Sequence, residues 1–397
     1  MRRAARAGDG VVRETPVLST RTLSERVGGT IALKAENLQR TGSFKLRGAL
    51  AKIASLGERT ALGVVTGSAG NHGQALAYAA RTLGVRCEVF MPEGAPISKV
   101  EGAIALGAHV ELGGASVDEA LAVAHARAAT TGATFVHPFE DPEVIAGQGG
   151  IGLELLAQLP DVRRVLVPIG GGGLISGIAI AMKSTRPEIE LIGVQVETCA
   201  PFPGSLTAGE PVAVTSALTI ADGIAVKRPG TLTLSLIARW VDDVVVVAED
   251  EVAEAMVFLL ERAKLVVEGA GAVGVAALLS GAAAASPDGA TVVVLSGGNV
   301  GAGLLAEVAR RHETQAGRRL VLPTRVPDRP GALARLLVII GQQGANLLDV
   351  QHIREGLALH IRETAVQLVL ETRGADHAAA VVDAVRAAGY PPLDGLG

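Results

Sequence analysis

Arg163-Arg-Val-Leu-Val-Pro-Ile169 runs without a break into Gly170-Gly-Gly-Gly-Leu174 and on into the helical stretch Ile175 to Lys183. A short apolar run, four successive glycines and a helical pattern read as strand, loop and helix. Residues without Cβ atoms let the backbone approach an anion closely, their N–H groups can converge on phosphate oxygens, and the following helix adds its positive end. Such a cup suits a single phosphate. A dinucleotide fingerprint is the competing reading, but the spacing is not Gly-x-Gly-x-x-Gly and no acidic residue is placed for a ribose.

Two more units of the same kind flank this one. Ala61-Leu-Gly-Val-Val65 predicts a strand, followed by the loop Thr66-Gly-Ser-Ala-Gly-Asn-His-Gly73 and a helix with Leu76, Ala79, Ala80 and Leu83 on one face, stopped by Gly84. Thr291-Val-Val-Val-Leu295 leads into Ser296-Gly-Gly-Asn299 and a helix toward Arg310. Further strands are expected at Val85 to Met91, His109 to Leu112, Thr134 to Phe139, Leu191 to Glu197 and Val241 to Val247. Helices are expected at Lys99 to Leu106, Val117 to Ala129 and Glu251 to Ser280, the last broken near Glu268-Gly-Ala-Gly271. This alternation indicates βαβ units and a mainly parallel sheet. Ligands of open α/β sheets bind beyond the carboxyl ends of the strands, so the three polar loops can converge on one site.

Thr41-Gly-Ser-Phe-Lys45 adds a chemical group. Thr41 or Ser43 is a candidate cap for a helix beginning near Phe44, which puts Lys45 in its first turn. Positive charge is disfavoured at that end of a helix, and burial disfavours it further, so the amine is pushed toward the neutral form that a Schiff-base lysine requires. Taken alone, Lys45 is one of 36 Lys and Arg residues, and the other loops decide its meaning.

The 397 residues suggest two or three domains at about 150 residues each. Hydrophobic residues make up 49% and charged residues 19%, which indicates a compact fold; aromatics are only 2%, so Ala, Val, Leu and Ile must supply the packing. A net charge of −4 with dispersed Lys and Arg predicts neither a nucleic-acid nor a membrane partner. Cys87 and Cys199 form no framework or metal cluster, and no signal-peptide or membrane-spanning stretch is evident, so a cytoplasmic protein is expected.

The charged segment Arg310 to Gly317 reads as a linker, and beyond it the pattern changes. Arg319 to Val326, Asn346 to Ile353 and Glu363 to Thr372 predict strands. A helix carries Leu333, Leu336, Leu337 and Ile340, and another, capped by Asp376 and closed by Gly389, carries Ala378, Val381, Val382 and Val385. The order βαββα is a small α+β module without clustered catalytic residues, so binding or assembly is its natural role.

Thr41-Gly-Ser-Phe-Lys45-Leu-Arg-Gly-Ala49, Ser68-Ala-Gly-Asn-His72, Gly170-Gly-Gly-Gly-Leu174 and Ser296-Gly-Gly-Asn299 resemble, in order, the motifs of threonine dehydratase (threonine ammonia-lyase). That family has the fold-type II, tryptophan synthase β-like architecture of pyridoxal 5′-phosphate enzymes. The C-terminal module is similar to an ACT domain of ferredoxin-like βαββαβ order, with Asp328-Arg-Pro-Gly-Ala-Leu333 as its entry loop. The resemblance implies a catalytic domain over 1–316, with a small subdomain at about 41–140 inserted in a large one, and an ACT-like regulatory domain over 317–397.

Residue by residue, the resemblance implies that Lys45 holds pyridoxal phosphate as a Schiff base, beside Phe44. Gly170, Gly171, Gly172, Gly173 and Leu174 cup its phosphate, Asn71 bonds its ring hydroxyl, and Ser296 meets its pyridine nitrogen. The loop Ser68, Ala69, Gly70, Asn71 and His72 takes the substrate carboxylate, while a bland reading makes Asn71 a helix cap. A serine at the ring nitrogen, unlike a carboxylate, does not hold a proton there, which favours β-elimination over racemisation or transamination. Lys45 then takes the Cα proton and the β-hydroxyl departs, giving 2-oxobutyrate and ammonia from threonine or, more weakly, pyruvate from serine.

Serine racemase has a similar asparagine loop, but Ala69 stands where that family has its serine base. Leu218 stands where an acidic metal ligand is expected, beside Ala221-Asp222-Gly223, so no divalent metal is expected. A β-replacement synthase of the same fold and a non-enzymatic amino-acid sensor are the remaining alternatives. The ACT resemblance implies isoleucine as inhibitor and valine as antagonist, bound between paired modules near Asp328, Pro330, Gly331 and Asn346. A homo-oligomer, dimer or tetramer, goes with that pairing.

Overall fold

The computed structural model describes residues 1–95, 97–354 and 359–393. Among them the strands are, in chain order, β1 Val17–Ser19, β2 Ile31–Lys34, β3 Val64–Gly67, β4 Cys87–Met91, β5 His109–Leu112, β6 Thr134–Phe135, β7 Val162–Pro168, β8 Glu190–Val196, β9 Asp243–Val247, β10 Ala290–Val294, β11 Arg319–Pro327, β12 Asn346–Ile353 and β13 Glu363–Glu371. They form three sheets, ordered β1-β2-β10-β7-β8-β9, β5-β4-β3-β6 and β11-β13-β12. The first is parallel except for the β1–β2 pair, the second is parallel throughout, and the third is antiparallel. This is an α/β arrangement of two parallel sheets, as expected from the fold-type II resemblance, followed by a small antiparallel module.

Helices cover both faces of the parallel strands, which is why β7, β8 and β10 read as continuous Val, Leu and Ile runs rather than as alternating ones. Val165, Val167, Ile175, Ile178, Leu191 and Val292 belong to the core of the large sheet. Leu46, Leu50, Leu76, Val89 and Met91 belong to that of the four-stranded sheet. With so few aromatics, close helix packing relies on small residues; a Cβ on Gly177 would stand 2.3 Å from the carbonyl oxygen of Ile145.

Two compact units divide the chain, Met1–Val300 and Gly301–Gly397. The boundary therefore precedes the one read from sequence, and Arg310 to Gly317 is not an open linker. Helix Ala302–Gln315 runs through it, because the segment is polar but holds no Gly or Pro before Gly317. The Arg318 guanidinium then pairs with Glu313 at 2.7 Å. Thr134 to Phe139 is also shorter as a strand than expected. Only Thr134–Phe135 pair with β3, after which His137 Nδ1 accepts from the N–H groups of Phe139 and Glu140 and turns the chain into the cleft.

In the second unit, β11, helix Ala332–Gln342, β12, β13 and helix Ala375–Ala387 follow the expected order around Leu322, Leu336, Leu368 and Val381. Asp376 lies inside the first turn of the last helix rather than capping it, since Gly374 takes the cap position. Among the described residues, what stands in the place of the last strand of a βαββαβ order is one bridge, Thr324 to Pro392, with the Leu393 N–H donating to Pro323 O at 2.9 Å.

Candidate active site

The carboxyl ends of β3, β7 and β10 open onto one cavity of about 640 Å³, lined by the lysine, asparagine, glycine and serine loops together. Phe44, Lys45, Ser68 to His72, Gly170 to Leu174 and Ser296 all face it. The neighbouring parallel strands β7 and β10 put the glycine and serine loops at one edge of the large sheet, and the asparagine loop meets them from β3 of the small sheet. The Lys45 loop is in turn pinned to the serine loop, for the Phe44 N–H donates to Ser296 O at 3.1 Å and Ser43 bridges Gly297.

Lys45 is the first residue of helix Lys45–Ser55, as its placement in the sequence indicates. The expected cap is absent: Phe44 occupies that position, and the hydroxyls of Thr41 and Ser43 are buried with no hydrogen-bond partner among the described residues. The Lys45 amine donates to Pro138 O at 3.0 Å and stands 5.2 Å from the centre of the Phe44 ring. Burial pulls it down to about 8 from the usual lysine value, against the opposing pull of the Glu268 carboxylate. Roughly a tenth of the amine is therefore neutral at pH 7, and the positive end of the helix adds to that fraction.

Behind this helix lies a buried charge network. Arg47 holds Glu36 in a fork at 2.8 and 2.9 Å and reaches Glu154, which also takes Lys34 Nζ at 2.6 Å; Thr15 O and the Gln158 side chain complete the lysine. Glu36 and Lys34 are wholly buried. The network joins the Lys45 helix to β2 and to helix Gly150–Gln158, so the reactive amine stands on a rigid mount.

Across the cleft, Gly170 to Gly173 follow β7 and open helix Gly173–Lys183, with Gly172 at φ +90 as its cap residue. A Cβ on Gly171 would lie 2.2 Å from the Phe139 ring, so only glycine lets the loop sit against that ring. The first N–H groups of the helix have no partner within it, and Gly173 and Leu174, which carry two of them, line the cavity.

Asn71 begins helix Asn71–Thr82, but its side chain does not cap it; Gly70 occupies the cap position. Instead Asn71 Nδ2 donates to Glu268 Oε1 at 2.8 Å, and Asn71 Oδ1 accepts from Asn299 Nδ2 at 2.8 Å. His72 turns inward: Nε2 meets Val136 O at 3.1 Å, and burial drives the ring down to about 3, so it is neutral.

Sequence reading overlooked two residues. Glu268 appears there only as part of a helix break, yet its buried carboxyl faces the cavity and is pushed up to about 7, chiefly by burial and then by Asp222. His137 is likewise part-buried at the cavity, pushed down to about 4 by burial and then by the nearby Lys45, and so serves as the neutral acceptor that shapes the Pro138–Glu140 turn. No local pattern marks either residue; the Gly-Ala-Gly that follows Glu268 is the nearest to a signal.

The effector candidates do not form one site within a chain. Asp328 pairs with Arg354 at 3.0 Å and adjoins Pro330 and Gly331, at the Glu363 end of β13, whereas Asn346 pairs with Glu371 at the opposite end. Leu218 is exposed, and no three His, Cys, Asp or Glu side chains cluster as a metal set among the described residues. Among those residues no helix is long and apolar enough to cross a membrane.

The residues fit the expected cofactor: a lysine amine lowered toward neutrality, a glycine cup at a helix N-terminus, and an asparagine and a serine between them. A family model described as "Pyridoxal-phosphate dependent enzyme" matches residues 9–331. An L-threonine ammonia-lyase of Thermotoga maritima is 46% identical over 391 residues, 98% of this chain and 97% of that protein. Among solved structures, the processed form of threonine deaminase isoform 2 from Solanum lycopersicum is 35% identical with a TM-score of 0.73, covering 77% of this chain and 89% of that one. Maize serine racemase is 36% identical with a TM-score of 0.74, covering 79% and 97%. With the cleft geometry and these relatives in agreement, the chain belongs to the pyridoxal-phosphate dependent enzymes and, within them, to the L-threonine ammonia-lyase family.

Proposed function

We propose that this chain removes water and then ammonia from L-threonine to give 2-oxobutyrate, and acts more weakly on L-serine to give pyruvate. The observation that carries the reading is the Lys45 amine, lowered to about 8 in a cavity it shares with the glycine cup, Asn71 and Ser296. Lys45 would hold the cofactor, Gly170 to Leu174 its phosphate, Asn71 its ring hydroxyl and Ser296 its ring nitrogen. Bound there, the cofactor supplies an electron sink that makes the substrate Cα–H acidic.

The protein's own groups do the rest. The N–H groups of the Ser68 to His72 loop, at the start of helix Asn71–Thr82, take the substrate carboxylate. The Lys45 amine, once free, accepts the Cα proton as general base. Ser296 offers a hydroxyl and no carboxylate to the ring nitrogen, which favours loss of the β-hydroxyl over reprotonation. Ala69 lines the cavity with no proton-carrying group, which supports elimination over racemisation.

The glycine cup makes the assignment testable apart from turnover. Gly171→Ala forces the Phe139 ring to shift, and an overpacking cost of about 1–3 kcal/mol corresponds to roughly 5- to 150-fold weaker cofactor binding. Titrating the apoprotein with pyridoxal phosphate measures this directly; unchanged affinity would remove the phosphate from this loop.

The second unit is read as an ACT-like regulatory module that binds isoleucine, with valine as antagonist, near Asp328 to Gly331. Its edge strand β12, with Leu348 54% exposed, supports pairing of two modules and hence a dimer or tetramer. The buried free thiols of Cys87 and Cys199 accord with a cytoplasmic protein. The test is 2-oxo acid release from L-threonine over a substrate titration, with and without isoleucine. Release that isoleucine suppresses, most strongly at low threonine, is expected. Release indifferent to isoleucine would remove the regulatory reading alone, while D-serine formed from L-serine without 2-oxo acid would replace the lyase with a racemase.

A further inference from the structure

Asn71 stands in a hydrogen-bonded chain whose polarity can be read from one end. Thr41 O can only accept, and it takes Asn299 Nδ2 at 2.8 Å. Asn299 Nδ2 therefore presents its other hydrogen to Asn71 at 2.8 Å, which must answer with Oδ1. That turns Asn71 Nδ2 toward Glu268 Oε1, also at 2.8 Å. One Nδ2 hydrogen of Asn71 is consumed by Glu268 and the other is left for the cavity. Asn71 follows β3 of the small sheet, whereas Glu268 and Asn299 belong to the large-sheet side, so the chain also ties the two walls of the cleft together.

Glu268 is held in place by its own backbone. Its N–H donates to Gly297 O at 3.1 Å, and a Cβ on Gly297 would stand 2.2 Å from Oε1, so the carboxyl rests directly on the strand end that carries Ser296. Only 4% of the residue is exposed. The charged groups it feels are Asp222, Lys99 and Lys45, with Lys99 paired to Asp222 at 2.8 Å.

We propose that Glu268 is a positioning residue: with Asn299 it locks the Asn71 amide so that the remaining Nδ2 hydrogen meets the ring oxygen of bound pyridoxal phosphate, and its carboxylate balances positive charge at the Lys45 nitrogen. The proposal rests on the assignment of Asn71 to the cofactor ring and does not depend on which amino acid is the substrate. Burial brings Glu268 to about 7, so its charge-balancing anion forms as pH rises through neutrality, while either protonation state can accept from Asn71. Glu268 and Lys45 oppose each other in charge, and each feels the other's field.

The test compares Glu268→Gln and Glu268→Ala with the parent, each loaded with pyridoxal phosphate, by following the visible absorption of the bound cofactor from pH 5.5 to 9 and its affinity for the apoprotein. The parent is expected to show a spectral transition near pH 7. Gln retains an acceptor for Asn71 but carries no charge, so the transition should vanish while affinity stays within about 3-fold. Ala removes the acceptor as well and should weaken cofactor binding by about 10- to 100-fold. A parent without a transition between pH 6 and 8, or a Gln variant that titrates like the parent, overturns the proposal, as does equal affinity in all three proteins. Should the Ala variant fail to fold, the parent and Gln titrations decide alone. A protein that binds cofactor and titrates as expected, yet leaves L-threonine untouched, would sink the substrate assignment and leave Glu268 in its role.

Discussion

Substituting alanine for Lys45 is expected to abolish turnover and the visible absorption band of the bound cofactor together. Loss of a general base alone costs about 10²- to 10⁴-fold, and here the same amine is also the point of covalent attachment, so residual 2-oxo acid release should lie below about 1 part in 10⁴. A measured rate within tenfold of the parent would end the assignment. The apoprotein offers a second readout with the opposite sign. Lys45 is lowered to about 8 in the folded chain, mainly by burial. Its folded value lies below its unfolded one, so its contribution to stability is fully present only above the unfolded value and is lost as pH falls through 8. Relative to the parent, Lys45→Ala should therefore gain stability on going from pH 10 to pH 6, by up to about 3 kcal/mol. Urea denaturation of the two apoproteins at both pH values measures the gap, and a gap that does not move would show that the amine is not strained by its surroundings.

The largest loss of stability is expected from Arg47→Met. Arg47 is the partner of Glu36 in a fork of two hydrogen bonds, and Glu36 has no exposed surface from which to reach water. Breaking a buried pair from one side costs about 3–5 kcal/mol, because the remaining charge stays desolvated. Glu36 would then keep the Thr15 hydroxyl and the charge of nearby Lys34, neither of which replaces the guanidinium fork. The exposed Arg21–Glu25 pair is the control, since its removal is expected to change stability by less than about 1 kcal/mol. Denaturant midpoints for both variants at pH 5 and 8 test the contrast. Equal, small losses would mean that the network is wetter than its geometry indicates. The Arg47 variant should also bind cofactor less tightly, as the helix that carries Lys45 loses its anchor.

Much of the site was legible because each of its loops follows its own strand. A glycine run after Val162–Pro168, an asparagine loop after Val64–Gly67 and a serine loop after Ala290–Val294 each carry a local signature; the large parallel sheet brings the glycine and serine loops to one edge, while the asparagine loop joins them from the separate small sheet. Glu268 and His137 carry none. A carboxylate is ordinary in sequence, and Glu268 becomes part of this site only when it is buried and an asparagine from 197 residues away donates to it. The misread boundaries have the same origin. Arg310 to Gly317 looked like a linker because it lacks an apolar stripe, although helix-forming residues continue a helix through Gln315 without one. Thr134 to Phe139 looked like a complete strand, but His137 accepts two backbone N–H groups and ends it.

By itself, then, the order of residues determined the alternation of strands and helices, and with it a mainly parallel sheet, the separate α+β module and the loops that hold an anion and a reactive amine, since all of these are signalled by patterns a few residues long. Only the tertiary structure decided that Thr41 and Ser43 cap nothing, that Asn71 is held by Glu268 and Asn299, and that Lys34, Glu36, Arg47 and Glu154 form one buried network. Their energies depend on how much water is excluded and on which charge lies opposite, and neither quantity exists until distant segments have packed against one another.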